Sequence, residues 1–234
     1  MHLQTVLGGT IPNDHSRQPN IREYLDAFVG RGSELRLVVD LGCGAGDLVR
    51  HIDTTYAGVR CIGVDIPDSP EVRERKLEAG GTFLTFDGEN IPLAEGSADV
   101  IVSRQVLEHV CRPFPLFASV ARVLKPGGVF IGSTSQLEPY HSFSTFNYTP
   151  FGLKMLGDAC GLVAVEFRPG ADVLVLVMRR LFAHRAFFDR WLDRESPLNK
   201  VIGLAGRLRG WNAAQINTVK LMLAGQFFFV FRKP

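Results

Sequence analysis

The chain has few cysteines and no long apolar run, and these two features exclude several classes of protein. Its 234 residues include 4 Cys, and no two of them form a C-x-x-C pair, so neither a zinc site nor a dithiol redox motif is indicated. Scattered single cysteines favour a reducing compartment. The N-terminal residues lack the basic start and apolar stretch of a secretory signal, and no segment reaches the roughly 18 apolar residues of a membrane span. We therefore expect a cytoplasmic protein.

An excess of charge of one sign is also absent from the chain as a whole. Lys and Arg number 26 against 24 Asp and Glu, and a net charge of +2 does not indicate a nucleic-acid binder. This average hides a division, because residues 1–169 carry a net charge of −5 and residues 170–225 carry +5. An acidic body followed by a basic segment suggests that the two parts have different roles.

Internal repeats and low-complexity tracts are missing too, and from residue 35 onward strand-like apolar runs alternate with helical segments. Seven strands are predicted, at Leu35–Leu41, Val59–Val64, Thr82–Phe86, Ala98–Ser103, Val129–Thr134, Leu162–Phe167 and Phe227–Phe231. Helices are predicted at Asp47–Ala57, Pro70–Ala79, Pro115–Leu124 and Thr149–Ala159. This alternation predicts an α/β fold with a parallel sheet covered on both faces, whose ligands bind beyond the carboxyl ends of the strands.

A glycine-rich loop follows the first predicted strand, which contains Asp40 near its end. Its glycines are Gly42, Gly44 and Gly46, and Asp47 stands where a dinucleotide-binding loop would have its third glycine. A carboxylate in the first turn of a helix disfavours a phosphate at that helix terminus. The loop therefore favours a small cationic or zwitterionic ligand, and it argues against the alternative of a nicotinamide-dependent dehydrogenase.

Two further acidic residues follow the next two predicted strands. Asp65 lies 23 residues beyond Gly42, near the spacing at which a carboxylate accepts hydrogen bonds from ribose hydroxyls. Asp87 follows the third strand, where it could accept a hydrogen bond from an adenine amino group. Together with the glycine loop, these residues suit a nucleoside that carries a cationic group.

Five sequence blocks follow one another along the body of the chain. They are VVDLGCGAGDL at 38–48, GVDI at 63–66, FDGENIPLAEGSADVIVSRQVLEHV at 86–110, ARVLKPGGVFIGST at 121–134 and YTPFGLKMLGDACGLVAVEF at 148–167. In this order they resemble the class I S-adenosylmethionine-dependent methyltransferases of the small-molecule type. The resemblance implies a Rossmann-like, doubly wound seven-stranded sheet whose last strand is antiparallel, with a helical insert before that strand. It also implies four parts: a lid segment at 1–34, a cofactor-binding core at 35–169, a basic helical insert or cap at 170–225 and the final core strand at 226–234.

The resemblance further implies S-adenosylmethionine as the cofactor and S-adenosylhomocysteine as its product. The cofactor-binding residues that it assigns are Asp40, Gly42, Gly44, Gly46, Asp65, Ile66, Asp87, Gly88 and Gln105. The glycines would flank the methionine part, Asp65 would hold the ribose, and Asp87 would hold the adenine amine. Ile66 would pack on the adenine face, and the backbone of Gly88 would lie near the ring. Gln105 would lie near the methyl end, whereas Asp40 would orient the loop.

Two histidines follow the fourth and fifth predicted strands, where a methyl acceptor should lie. His109 and His141 are candidate catalytic bases because histidine exchanges protons near neutral pH, although His109 also fits a structural role in its helix. Tyr140 and Tyr148 are candidate substrate contacts in a long loop, 135–148, that we expect to form part of the acceptor pocket. No clustered set of His, Asp and Glu is visible in the sequence, so we expect no metal site.

We therefore predict methyl transfer from S-adenosylmethionine to a small-molecule acceptor, with oxygen as the methylated atom. Glycan, lipid-linked and secondary-metabolite intermediates are the acceptor classes we consider. A nucleic-acid substrate is disfavoured by the acidic body and by the segment Ser103-Arg104-Gln105, which lacks an Asn/Asp-Pro-Pro-aromatic run. Besides the dehydrogenase, a non-catalytic module that binds the cofactor or recruits the protein to a membrane remains an alternative.

The basic segment 170–225 is predicted to contain two or three helices. Its first part, Asp172–Trp191, combines apolar and aromatic residues with arginines; the arginines of the segment's first half are Arg179, Arg180, Arg185, Arg190 and Arg194. One interpretation is a cap that buries one face on the body or on a homodimer partner. The other is a peripheral contact with an anionic membrane surface.

Overall fold

A computed structural model describes residues 2–14, 20–29, 37–75, 81–183, 186–192 and 194–234. Its strands are β1 Leu37–Leu41, β2 Arg60–Asp65, β3 Thr82–Thr85, β4 Ala98–Arg104, β5 Leu124–Ser135, β6 Val163–Pro169 and β7 Gln226–Arg232. They form one sheet in the order β3-β2-β1-β4-β5-β7-β6. The first five strands pair in parallel, and β7 is antiparallel to both β5 and β6. The predicted seven-stranded fold with an antiparallel last strand is confirmed.

The helices cover both faces of this sheet. They are α1 His2–Leu7, α2 Ile21–Phe28, α3 Asp47–Thr55, α4 Pro70–Arg73, α5 Pro113–Val123, α6 Pro150–Ala159, α7 Val173–Leu181, α8 Ala186–Asp189, α9 Pro197–Leu208 and α10 Ala213–Met222. Short 3-10 turns lie at Gly8–Thr10 and Leu107–His109. The described part of the insert therefore has four helical segments before β7, more than the two or three predicted.

Neighbouring residues of each central strand contribute to different cores, because successive side chains of a strand point to opposite faces. Val38 belongs to the same core cluster as Leu48 and Ile52 of α3, whereas Val39 belongs to the cluster that contains Phe117 of α5 and three phenylalanines of β7, Phe227, Phe229 and Phe231. Phe130 and Phe229 meet with ring centroids 5.0 Å apart. All five residues of β1 are buried, which explains its nearly uniform apolar sequence.

One predicted helix and the first part of the insert differ from expectation. The helix predicted at Pro70–Ala79 ends at Arg73, and residues 76–79 of that prediction lie outside the described residues, as do Leu35 and Arg36 of the first predicted strand. The first part of the basic segment, Asp172–Trp191, contains two helices, α7 and α8. Ala183, which follows α7, has a φ of +52°, a left-handed conformation that a continuous α-helix does not contain.

The described part of the predicted lid segment packs against the body of the protein. Leu7 belongs to one core cluster and Leu25 to the other, and both are almost fully buried. The Tyr24 hydroxyl donates a hydrogen bond to Glu166 on β6. These contacts anchor both ends of the described segment, while its closure over a cofactor stays a prediction.

Candidate active site

The glycine loop between β1 and α3 lies at the carboxyl edge of the sheet. Gly42, Gly44 and Gly46 have φ angles of +75°, +49° and +83°, a region that glycine adopts without strain. A Cβ atom on Gly42 would lie 2.2 Å from a methyl carbon of Val106. The absence of a side chain at Gly42 therefore allows the segment after β4 to approach the loop closely.

Asp65 ends β2 and points at the same loop. Its Oδ2 atom accepts a hydrogen bond from the Gly44 amide at 2.6 Å, and its Oδ1 atom accepts one from the Ile66 amide at 2.8 Å. The Arg75 guanidinium lies 4.0 Å from Oδ2 and donates to the Gly44 carbonyl at 2.8 Å. Each carboxylate oxygen keeps a further lone pair that could accept from a ligand hydroxyl. The structure thus joins Asp65 to the glycine loop, and it leaves the Ile66 side chain 40% exposed beside them.

Asp40 is the most unusual residue of this edge, because its side chain is buried without a hydrogen-bond partner. Its relative exposure is 1%, and neither carboxylate oxygen has a partner among the described residues. Burial raises the pKa of Asp40 to about 7, against the opposing effect of Arg104. A buried acid without a partner favours a positive charge nearby, and the ammonium and sulfonium groups of S-adenosylmethionine would supply one.

Asp87 uses its carboxylate to close its own turn. Its Oδ1 atom accepts from the amides of Glu89 and Asn90, and its Oδ2 atom accepts from the Asn90 side chain at 2.8 Å. These hydrogen bonds lower the pKa of Asp87 to about 2. The neighbouring Gly88 has a φ of +89° and open space where a Cβ would be. Turn formation accounts for this Asp-Gly pair, so its contact with adenine stays a prediction.

Gln105 follows β4 with a φ of +51°, which is uncommon for a residue other than glycine. Its side-chain amide forms a hydrogen bond with the Ser133 hydroxyl at 3.1 Å. With its amide oriented so that donors face acceptors, Gln105 also donates to Oε1 of Glu108 at 2.9 Å. The residue predicted at the methyl end therefore belongs to a polar network that joins the end of β4 to β5.

Glu108 is the buried centre of that network, and it is not among the site residues predicted from the sequence. Its relative exposure is 0%, its Oε2 accepts from Thr134 at 3.0 Å, and its Oε1 lies 3.2 Å from the Ser135 hydroxyl. Burial raises the pKa of the Glu108 carboxyl. The available sequence signal was a glutamate four residues after a buried strand, directly behind the apolar pair Val106-Leu107, which is an unusual place for a solvated side chain.

The structure brings the two candidate bases together beside Glu108. The ring centroids of His109 and His141 are 5.4 Å apart in an edge-to-face arrangement. One potential ligand atom from each of Glu108, His109 and His141 lies within 4.8 Å of the others. Glu138 faces His141, and its Oε1 atom lies 3.6 Å from Nδ1 of that histidine. The sequence predicted both histidines near the acceptor, but their direct contact with each other and with Glu108 could not be predicted because His109 and His141 are 32 positions apart.

The two tyrosines predicted to contact substrate lie in different environments. Tyr140 is 76% exposed, so it lies on the surface of the loop that carries His141. The Tyr148 hydroxyl donates to the Leu107 carbonyl at 3.2 Å, and burial raises its pKa above the ordinary tyrosine value. Tyr148 therefore supports the 3-10 turn that holds His109, while a direct substrate contact stays a prediction for both residues.

Residues 39–132 match the family described as a methyltransferase domain. This range contains the glycine loop, Asp65, Asp87 and the segment that carries Glu108 and His109. These residues form a class I S-adenosylmethionine-dependent methyltransferase domain. The family assignment and the glycine spacing both disfavour the dehydrogenase alternative.

A relative from Mycolicibacterium paratuberculosis, described as an uncharacterised methyltransferase, is 36% identical over 115 residues. The match covers 47% of this chain and 44% of the relative, so the chain corresponds to less than half of that protein's length. The similarity supports the domain assignment, and the activity of the whole chain is treated below as a proposal.

Solved methyltransferase structures share the fold over nearly the whole chain. A putative sarcosine dimethylglycine methyltransferase from Galdieria sulphuraria has a TM-score of 0.59 and 21% identity, covering 99% of this chain and 97% of its own. A phosphoethanolamine N-methyltransferase from Haemonchus contortus in complex with S-adenosylmethionine has a TM-score of 0.60 and 19% identity, covering 99% of this chain and 56% of its own. At these identities the likeness establishes the fold alone.

S-adenosylmethionine is the cofactor of this family, and the residues at the sheet edge fit it. The fit rests on the buried Asp40 carboxylate, which has no hydrogen-bond partner among the described residues, and on Asp65, whose carboxylate oxygens can accept further hydrogen bonds. Among the described residues, no helix combines the length and hydrophobicity required to cross a bilayer.

Proposed function

We propose that this chain transfers the methyl group of S-adenosylmethionine to an oxygen atom of a small molecule. The observation that carries the proposal is Asp40, two residues before Gly42, whose buried carboxylate has no hydrogen-bond partner among the described residues. Asp65, Ile66 and the glycines complete a site for a nucleoside with a positive charge. The oxygen acceptor is supported by the two histidines beside this site, because a hydroxyl group must lose a proton when it is methylated.

The chemistry that the cofactor supplies is an electrophilic methyl group on a sulfonium. The protein's part is mainly alignment, and good positioning can contribute roughly 7–11 kcal/mol to lowering the barrier. Asp65 and the glycine loop would fix the nucleoside and methionine parts. Asp40 would balance the positive charge of the ligand. His141, oriented by Glu138, would take the acceptor's proton.

The acceptor is proposed to be a glycan, a lipid-linked intermediate or a secondary metabolite. The exposed loop that contains Tyr140 supports an acceptor that enters from the surface of the protein. The names of the two structural relatives point to amine-containing acceptors, which makes nitrogen the competing acceptor atom. Incubation of the protein and S-adenosylmethionine with panels of hydroxylated and amine-containing small molecules, followed by mass spectrometry of the products, distinguishes oxygen from nitrogen as the methylated atom.

Titration calorimetry with S-adenosylmethionine and S-adenosylhomocysteine tests the cofactor site directly. We expect binding to wild-type protein, and we expect Asp65→Asn to weaken it roughly 10- to 100-fold, because a hydrogen bond to a charged acceptor is lost. Asp68→Asn is the matched control, since Asp68 is exposed and pairs with Arg73 on the surface. Unchanged affinity in Asp65→Asn would contradict the proposal. Cofactor binding without turnover of any acceptor would favour the non-catalytic module.

The helical insert is proposed to contact an anionic membrane surface. Exposed apolar side chains stand beside basic ones, and Leu181 and Phe187 are 71% and 57% exposed. Arg190 lies over the rings of Phe187 and Trp191, at 3.9 and 4.5 Å from their centroids. The net charge of +5 over 170–225 complements anionic lipid headgroups. A homodimer that covers the same surface is the competing outcome.

A further inference from the structure

We propose that Glu108, His109 and His141 bind a divalent first-row transition-metal ion beside the methyl-acceptor site. Each residue places one potential ligand atom within 4.8 Å of the other two. Two imidazole nitrogens and one carboxylate oxygen form a donor set that suits Zn²⁺ and its neighbours in the series, and a three-residue set leaves a coordination position open. The expectation of no metal site came from the separation of these residues in the sequence, which the fold removes.

Two of the three ligands are held in place by the sheet edge. Glu108 accepts hydrogen bonds from Thr134 at the end of β5 and from Gln105 after β4, and its Oε2 atom retains a second lone pair. His109 is the last residue of the 3-10 turn Leu107–His109 and follows Glu108 directly. The Nδ1 atom of His109 is buried and has no hydrogen-bond partner among the described residues. A buried nitrogen without a partner is an unsatisfied acceptor or donor, and a metal ion would satisfy it.

The third ligand must move a short distance to complete the site. Zinc ligands at roughly 2.0–2.2 Å from a tetrahedral ion are about 3.4 Å from one another, so separations of up to 4.8 Å need to close by about 1.4 Å. His141 belongs to the long loop between β5 and α6, outside the sheet that holds Glu108. Side-chain rotation of His141 is the movement that would bring the three atoms together.

Glu138 is placed to orient His141 toward the ion. Its Oε1 atom lies 3.6 Å from Nδ1 of His141, and its Oε2 atom accepts hydrogen bonds from Ser135 and Gln226 at 2.7 Å. Metal-binding histidines commonly donate their second ring N–H to a carboxylate, which fixes the tautomer and the ring orientation. A tightened Nδ1–H to Glu138 hydrogen bond would leave Nε2 of His141 as the ligand. Glu138 is therefore a positioning residue.

The proposed ion would bind the acceptor's hydroxyl oxygen at its open position and lower the pKa of that hydroxyl, so that its proton is released to solvent. With the ion bound, His141 would act as a metal ligand and would not itself take the proton. This role rests on the proposed methyl transfer, whereas metal binding itself does not. The competing interpretation is a metal-free polar cluster, in which the two rings pack edge to face and Glu108 accepts hydrogen bonds from Thr134 and Gln105. The two interpretations differ in whether the purified chain binds a metal ion at these residues.

Titration of the chelator-treated 234-residue chain with Co²⁺ or Zn²⁺ tests the site without any methyl acceptor. We expect one ion per chain, with Co²⁺ giving visible absorption bands of a nitrogen- and oxygen-ligated ion. His109→Ala and His141→Ala should each weaken Zn²⁺ binding roughly 100-fold or more, and Glu138→Gln should weaken it roughly 10-fold. His51→Ala is the matched control, because His51 lies on α3 and contacts Thr55 at 3.4 Å.

Two results would overturn the metal site. One is the absence of stoichiometric binding by wild-type protein, and the other is equal affinity in wild type and in a His109→Ala/His141→Ala double variant whose circular dichroism is unchanged. Failure of the proposed methyl transfer can be distinguished from failure of the metal site, since a chain that does not bind S-adenosylmethionine could still bind the metal ion. If the chain methylates an acceptor equally fast before and after chelation, the activating role is wrong even where an ion binds.

Discussion

Among single residues, Asp40 shows how a side chain can be unfavourable for the fold and favourable for a ligand. Its carboxylate is buried at 1% exposure on a central strand, and no described residue donates a hydrogen bond to it. Desolvation therefore opposes ionisation and holds its pKa near 7. A residue that costs stability without a ligand is expected where binding supplies the missing partner.

Replacement of Asp40 by Asn should stabilise the ligand-free protein in a pH-dependent way. The folded-state pKa is about 7 and exceeds the ordinary value of 3.8, so ionisation of Asp40 lowers stability as pH rises from about 4 to 7. We expect Asp40→Asn to raise the free energy of unfolding by about 1–3 kcal/mol at pH 8 and by much less at pH 4.5. Urea denaturation at both pH values measures this. An equal effect at the two would contradict it.

His141 carries the prediction about turnover. We expect His141→Ala to lower the rate of methyl transfer by a factor of about 10² or more, because acceptor activation is lost, while affinity for S-adenosylmethionine stays nearly unchanged. Steady-state rates and calorimetry on the same preparations measure the two quantities. A parallel loss of rate and affinity would indicate misfolding of the loop and would count against a specific role for His141.

At the scale of secondary-structure elements, the loop from β1 to α3 depends on the element next to it. Gly42 is in the left-handed region and also faces Val106, which follows β4. The glycine spacing in the sequence was sufficient to predict the loop. The contact with Val106 could not be predicted, because it depends on β1 and β4 being neighbours in the sheet.

A pair of glycine substitutions separates backbone strain from steric clash. Gly42 and Gly58 have similar φ angles, +75° and +81°, but a Cβ at Gly58 would meet no atom within 4 Å. We expect Gly58→Ala to cost about 1–2 kcal/mol, from strain alone. Gly42→Ala should cost about 1–3 kcal/mol more, because Val106 must shift, and should weaken cofactor binding. Urea denaturation measures the stability of each variant, and calorimetry measures its affinity for the cofactor. Equal destabilisation by the two substitutions would contradict a steric clash with Val106.

At the scale of the whole molecule, charge and apolar exposure are concentrated in the insert between β6 and β7. The body 1–169 is acidic, and the segment 170–225 is basic and carries exposed residues such as Leu208 at 81% and Val201 at 63%. This asymmetry was visible in the sequence as charge alone. Only the tertiary structure revealed which apolar side chains of the insert the core leaves uncovered.

Sedimentation with liposomes tests whether this surface meets a membrane. We expect the chain to bind vesicles that contain anionic lipid, to be released by high salt, and to bind neutral vesicles weakly. Arg190→Glu should weaken binding several-fold, while Arg60→Glu, on the exposed start of β2, is the matched control. Binding that ignores lipid charge and salt would contradict the proposal. A concentration-dependent dimer that Arg190→Glu dissociates would identify a protein partner instead.

The sequence by itself determined the α/β fold, the glycine loop and the acidic residues at the strand ends, because these depend on local periodicity and short spacings. The tertiary structure decided the features that depend on contacts between residues far apart in the sequence. Among the described residues, it left the buried Asp40 carboxylate without a hydrogen-bond partner. It also brought His109 and His141 to the same point, since β4 and β5 are adjacent parallel strands whose carboxyl ends meet. A contact between side chains from two separate segments cannot be predicted from the residue pattern of either segment alone.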